Sequence, residues 1–180
     1  PPVFPFYSSR ISRAVNRWLL VAQLKLLMVA FDLRNPILWI AIPTAGEVAG
    51  RLGERALIYQ VSDKYEANTM DHGSDSEVIR EMHQDLLARA GLIYYSGRKL
   101  FEEDVAAHPE IVHKAKLLEQ AVDFEHFASA TAREWAEPAD IAAIGRPRLG
   151  YFGATESWLI DQELIRYVSR KRPDWQWVML

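Results

Sequence analysis

The 180-residue chain contains no cysteine, which excludes a disulfide scaffold, a cysteine–zinc knuckle, iron–sulfur ligation and a thiol nucleophile. No apolar run reaches the eighteen residues of a membrane span, and the opening residues do not read as a signal peptide. Cations are not in excess either. The formal charge is −3, whereas nucleic-acid binders present a concentrated positive face. The five histidines, at 72, 83, 108, 113 and 126, lack zinc-protease spacing and read as satisfied or solvated side chains. Glu102-Glu103-Asp104 reads as a solvated helix face, because crowded like charges do not make a magnesium site. A Gly-x-Ser-x-Gly nucleophile elbow, a complete dinucleotide fingerprint and a Walker loop are all missing.

What is present is an ordinary globular mixture, 49% hydrophobic and 25% charged. A chain of this length can bury roughly 70% of its extended surface, so a core needs no covalent staple. The lack of cysteine is compatible with a cytoplasmic location. Charge is uneven: Arg10, Arg13, Arg17, Lys25 and Arg34 against Asp32 give the first 35 residues +4, leaving −7 for the rest.

The opening Pro1-Pro2-Val3-Phe4-Pro5-Phe6 reads as a connection. Ser8 or Ser9 then caps a predicted helix to about Ala30, with Val15, Trp18, Leu19, Ala22, Leu26 and Val29 at helical spacing. Ile37–Ile42 is an unbroken apolar run, as in a strand covered on both faces. Thr44-Ala45-Gly46-Glu47 fits a capping box before a short helix burying Val48 and Leu52, stopped by Gly53. Ala56–Val61 is a second buried strand.

The cycle repeats with a Ser74-Asp75-Ser76-Glu77 box and a helix carrying Val78, Met82, Leu86 and Ala90, ended by a left-handed Gly91. A strand over 92–95 and a helix using Leu100, Phe101 and Val105 follow, closed by His108-Pro109. Ile111–Lys116 supplies one more strand. Residues 119–147 read as a connection with small helices, including a Thr131-Ala132-Arg133-Glu134 cap. Leu149–Gly153 opens a new strand-to-loop unit, with a helix over 157–170 burying Leu159, Leu164 and Val168, and a last strand over 175–180. Alternating strands and helices predict an α/β fold of Rossmann-like parallel sheet segments. The termini suggest an internal piece of a larger two-domain protein. A stand-alone domain, or a subunit completed by another chain or by its own copies, is the competing reading.

Open parallel sheets bind ligands beyond the carboxyl ends of their strands, and two segments meet that condition. At the first, Asp63 can accept a sugar hydroxyl or act as a base, with Ser62 and Tyr65 orienting a polar ligand. The plainer role for Asp63 is capping a turn, and for Tyr65 packing. At the second, Gly150 and Gly153 permit close approach of a diphosphate, while backbone N–H groups around Ala154 and Thr155 would receive its charge. Glu156 opposes an anion there, and a glycine used only for a tight turn explains the segment equally well. Trp18, Trp39 and Trp177 read as packing residues. Trp158 lies nearer the ligand edge. The basic first helix can rest against anionic lipid or an acidic partner, a peripheral contact at the inner face of a membrane.

Asp123-Phe124-Glu125-His126-Phe127 followed by Arg146-Pro147-Arg148-Leu149-Gly150-Tyr151-Phe152-Gly153 resembles glycosyltransferases of the two-domain GT-B fold, above all the bacterial group-1/family-4 enzymes. Asn35–Trp39, Tyr59–Asp63 and Ala90–Tyr94 support the likeness in the expected order. It implies that 1–127 is the later part of an N-terminal acceptor domain, 128–147 the interdomain connection, and 148–180 the beginning of a nucleotide-sugar domain. Asp63 falls at the final acid of a Tyr-Asp-x-x-Asp-like segment, with Gln60 replacing the earlier one. Ala121 replaces the glycine of an Asn-Gly-Val-Asp segment. Gly150 and Gly153 match the first donor-domain loop.

The implied activity is transfer of a sugar from a nucleotide sugar to a hydroxyl of a glycan or lipid-linked acceptor, in surface-polysaccharide or related assembly. The family usually needs no tightly held metal or other cofactor. The Glu-rich donor motif falls outside these residues, so the chain alone is expected to be inactive, and its catalytic residues stay unassigned. Two alternatives stand beside it: a non-catalytic α/β interaction subunit, and a small nucleotide-binding enzyme using 150–156.

Overall fold

A computed structural model describes residues 9–67, 76–132, 134–157 and 159–180. Several expectations lie outside them: the proline-rich opening, Ser8, His72, Ser74, Asp75, Arg133 and Trp158. The chain divides into two compact units, Pro1–Ala121 and Val122–Leu180.

In the first unit α1 spans Arg10–Ala30, and Ser9 caps it by accepting from the Ser12 N–H. The strands β1 (Ile37–Ile40), β2 (Ala56–Val61), β3 (Leu92–Tyr95) and β4 (Ala115–Leu117) form a wholly parallel sheet in sequential order. α2 (Ser76–Arg89) joins β2 to β3, and α3 (Arg98–Ala107) joins β3 to β4. The fold is therefore mixed α/β with parallel strands. Register places Ile40, Tyr59 and Ile93 in one row, with Val61 beside Tyr95 in the next. These side chains form one core with Leu86, Leu87 and Ala90 of α2 and its C-terminal end, and with Ile111. Leu100, Phe101 and Val105 of α3 pack against that core as expected.

Several local expectations are corrected. β1 is an edge strand, so the apolar run is not covered on both faces; Ile37 and Trp39 are exposed. Trp39 is half packing and half solvent-facing, stacked on Tyr94 with ring centres 5.6 Å apart. No capping box forms at Thr44–Glu47. Pro43 instead starts a 3-10 helix, Pro43–Val48, without a side-chain cap, and Glu47 is drawn to Arg17 at 2.9 Å. Val48 and Leu52 are nonetheless buried, and Gly53 is left-handed with φ 70°.

Gly91 is not left-handed. Its N–H donates to the Leu57 carbonyl at 2.9 Å, which carries the chain straight from α2 into β3. Ile111 lies in a 3-10 turn, Pro109–Ile111, rather than a strand, and pairing with β3 begins only at Ala115. The stripe of α1 also departs from expectation: Val15, Trp18, Leu26 and Val29 are exposed, and the buried residue of this helix is Asn16.

The second unit contains α4 (Phe124–Ala132), α5 (Ala139–Ala142), β5 (Arg148–Tyr151), α6 (Gln162–Lys171) and β6 (Gln176–Met179). Thr131 does not cap a helix; it sits in the last turn of α4, its hydroxyl donating to the Ala128 carbonyl. β5 and β6 pair in parallel, Arg148 opposite Gln176 and Tyr151 opposite Met179. Arg148 is fastened at the base of β5 by the Ile144 carbonyl at 2.8 Å and by Glu137. α6 starts later than predicted, at Gln162, because Asp161 takes the cap and accepts from the Leu164 N–H. That shift leaves Leu159 and Leu164 exposed, while Ile165 and Val168 are the half-buried positions.

Candidate functional site

The polar residues at the carboxyl end of β2 are held by a ladder of side chains. Trp39 on β1 donates its indole N–H to Gln60 at 2.9 Å, and the Gln60 amide donates to the Ser62 hydroxyl at 3.1 Å. Just past β3, Ser96 donates its hydroxyl to the Ser62 carbonyl at 3.0 Å and its N–H to the Val61 carbonyl at 3.0 Å. The ends of β2 and β3 are thereby pinned together. Ser62 is half-buried and Asp63 exposed. One carboxylate oxygen of Asp63 accepts the Lys64 N–H at 2.7 Å, the turn-capping role, while the exposed carboxylate keeps lone pairs for an incoming hydroxyl.

Lys64 reaches α3 and pairs with Glu103 at 2.7 Å. That hydrogen bond raises the ammonium's pKa and lowers the carboxyl's. Tyr65 opens a 3-10 turn, Tyr65–Ala67, and burial pushes its phenol upward, reinforced by the negative charge of Asp63. Ser62, Asp63 and Tyr65 thus lie within one short turn segment at the sheet's carboxyl edge, one of them presenting an open carboxylate.

Beneath this edge is a polar cluster that composition and spacing did not reveal. The Tyr59 hydroxyl lies 2.9 Å from His83 Nδ1, and His83 Nε2 lies 3.1 Å from the Asp104 carboxylate. With Nε2 turned toward an acid, the ring proton belongs there and Nδ1 accepts from Tyr59. Burial pushes the phenols of Tyr59 and Tyr95 strongly upward, and Asp104 adds to both. The Tyr95 hydroxyl and the Asp104 oxygen facing His83 are buried without a well-formed hydrogen bond among the described residues, so the His83–Asp104 contact is a close approach rather than an aligned hydrogen bond.

His83 is therefore a satisfied side chain, whereas the solvated-face reading of 102–104 holds only for the first two residues. Asp104 turns inward. A signal existed: His83 lies four residues after Ile79 and three before Leu86, and Asp104 four after Leu100, each on an apolar stripe.

The glycine loop of the second unit follows β5. Gly153 has φ 142°, a backbone conformation that favours glycine, and a Cβ there would crowd the Tyr151 hydroxyl at 3.3 Å. Its N–H donates to the Leu180 carbonyl at 3.2 Å. Tyr151 donates to the Ala154 carbonyl at 2.7 Å, and Gln162 to the Thr155 carbonyl at 2.7 Å. At Gly150 a Cβ would meet nothing within 4 Å. Phe152 to Ser157 are exposed. The first turn of α6 begins beyond the loop and is capped by Asp161, which occupies a donor that an anion would otherwise receive.

A hollow of about 380 Å³ between α1, the first 3-10 helix and α2 is lined by Arg17, Arg51 and Arg89. Its cations are already matched: Arg17 by Glu47, Arg89 by Asp85 and the Ala49 carbonyl, and Arg51 by the Glu47 carbonyl. Among the described residues, no group of three or more histidines and acids could hold a metal ion. The chain matches no protein-family model, and no curated protein is similar to it at a significant level.

Proposed function

We propose that the chain belongs to a glycosyltransferase that moves a sugar from a nucleotide sugar to a hydroxyl acceptor in glycan or surface-polysaccharide assembly. The observation that carries this reading is the exposed Asp63 carboxylate at the carboxyl end of β2, where parallel sheets accept ligands, on a turn stiffened through Ser62 and Ser96. In this reading Asp63 accepts the hydrogen bond of an acceptor hydroxyl, and Ser62 and Tyr65 frame the sugar. The acceptor oxygen bonds to the anomeric carbon as the bond from that carbon to the diphosphate breaks. The nucleoside diphosphate leaves with the electron pair, and the hydroxyl proton passes to a base. Gly150, Gly153, Ala154 and Thr155 are the donor-phosphate side.

A second reading, a non-catalytic interaction subunit, is favoured by one observation: the Gly153 N–H and the capped α6 terminus are already engaged within the unit. Saturation-transfer NMR with uridine and guanosine diphosphate sugars separates the two. The transferase reading expects transfer to nucleotide and sugar protons, with Gly153→Val abolishing the nucleotide signal and Asp63→Asn leaving it intact. No transfer to any nucleotide sugar at millimolar concentration would falsify it and leave the interaction subunit.

A further inference from the structure

His83 lies on the core side of α2, 8% exposed, and ionisable groups from the neighbouring elements close around it. Tyr59 meets it from β2 and Asp104 from α3. Tyr95 of β3 joins through Asp104, and Tyr65 and Glu66 of the second 3-10 turn lie near enough to act on Tyr59. The charges of α2 itself are paired with one another, Glu77 with Arg80 and Asp85 with Arg89.

The hydrogen bonds of this cluster differ between the two charge states of the ring. With His83 neutral, Nδ1 accepts the Tyr59 hydroxyl at 2.9 Å. The Asp104 oxygen 3.1 Å from Nε2 then has no aligned donor, and the buried Tyr95 hydroxyl no aligned acceptor. Protonation reverses the balance. The imidazolium attracts the Asp104 carboxylate, a charge-assisted pair that favours a closer approach. Nδ1 becomes a donor, so the Tyr59 hydroxyl must turn to accept, and its own proton loses its partner at a fully buried side chain. Each state satisfies one side of the ring and leaves the other unmatched. Imidazole is the side chain whose charge ordinarily changes between pH 5 and 8.

This cluster is connected to the carboxyl edge of the sheet. Glu103, the residue before Asp104, holds Lys64, the residue after Asp63, at 2.7 Å. The Tyr65–Ala67 turn also packs on α2. We propose that His83 is a proton-operated switch for this edge: its protonation draws Asp104 toward α2, Glu103 follows, and the turn carrying Asp63 is displaced. The device belongs to the first unit and does not depend on the transferase reading.

The test is a titration of the full chain from pH 8 to 5, followed by NMR of the imidazole rings and backbone amides. The His83 ring and the amides of Lys64, Tyr65 and Ala67 are expected to shift with one midpoint. Tyr59→Phe removes the hydroxyl that favours the neutral ring and should raise that midpoint by about half a pH unit or more. Asp104→Asn removes the charge that favours the imidazolium and should lower it by a similar amount. His83→Gln should abolish the response of the turn while His108, beside Glu110, titrates as before. Glu103→Gln should leave the ring titrating and diminish the response of the turn. A His83 ring that does not titrate in this range, or turn amides that stay flat while it does, would overturn the proposal. So would midpoints that fail to move in opposite directions in Tyr59→Phe and Asp104→Asn, or a turn that responds unchanged in His83→Gln or Glu103→Gln. The titration of the parent chain decides alone if a variant does not fold.

Discussion

α1 and α2 belong to the same unit and both carry apolar residues at helical spacing, yet they use them in opposite directions. α2 buries Ile79, Met82, Leu86 and Leu87 against the sheet and admits one polar residue, His83, which finds Tyr59 and Asp104. α1 buries a polar residue, Asn16, and leaves its stripe outside. An apolar stripe states that a face requires cover without stating what the cover is. For α2 the cover is the sheet. For α1 the described residues of the unit leave much of the stripe uncovered.

The largest expected effect comes from removing the inward stripe. Leu86→Ala leaves a void in a fully buried site and should cost about 2–5 kcal/mol in urea unfolding. The matching change in α1, Leu26→Ala, removes a side chain that is 71% exposed and should shift stability by about 0.5 kcal/mol or less. Equal costs would erase the contrast between the two helices.

A second effect is confined to the sheet side of α2. Tyr59 and Tyr95 ionise less readily folded than unfolded, so their contribution is complete below pH ~10 and is lost as pH rises further. Unfolding free energy measured from pH 9 to 11 should fall by up to about 1.4 kcal/mol per pH unit for each tyrosine. Tyr59→Phe should flatten the fall, and a slope unchanged by that substitution would place the titration elsewhere. The smallest effect concerns the attachment of α1. Glu47→Gln weakens its ion pair with the half-buried Arg17 and should cost about 1 kcal/mol or less by the same unfolding measurement. A loss as large as that of Leu86→Ala would show α1 to be integral to the core.

The strands β2 and β3, the helices α2 and α3, and the Ser9 cap of α1 were legible because local pattern and tertiary packing agree at those positions. Asp63 and Ser62 were legible as turn residues after a strand. Other features depended on partners distant in sequence. Glu47 left its expected cap for an arginine 30 residues earlier. The start of α6 moved from the predicted 157 to Gln162, because the Asp161 carboxylate accepts the Leu164 N–H and sets the cap there. The polar cluster of Tyr59, His83 and Asp104 joins three elements, and only their packing reveals it. The outward face of α1 was hidden for the reason that separates it from α2: periodicity is blind to the identity of the neighbour.

Because the chain lacks cysteine, one engineered thiol at a time reports a single position. Native-state labelling of Val29→Cys and Leu86→Cys by a neutral thiol reagent tests the contrast directly. Position 29 is expected to react at the rate of the urea-unfolded chain, and position 86 to be protected until global unfolding. Protection of position 29 in the monomeric protein to the same degree would contradict that contrast.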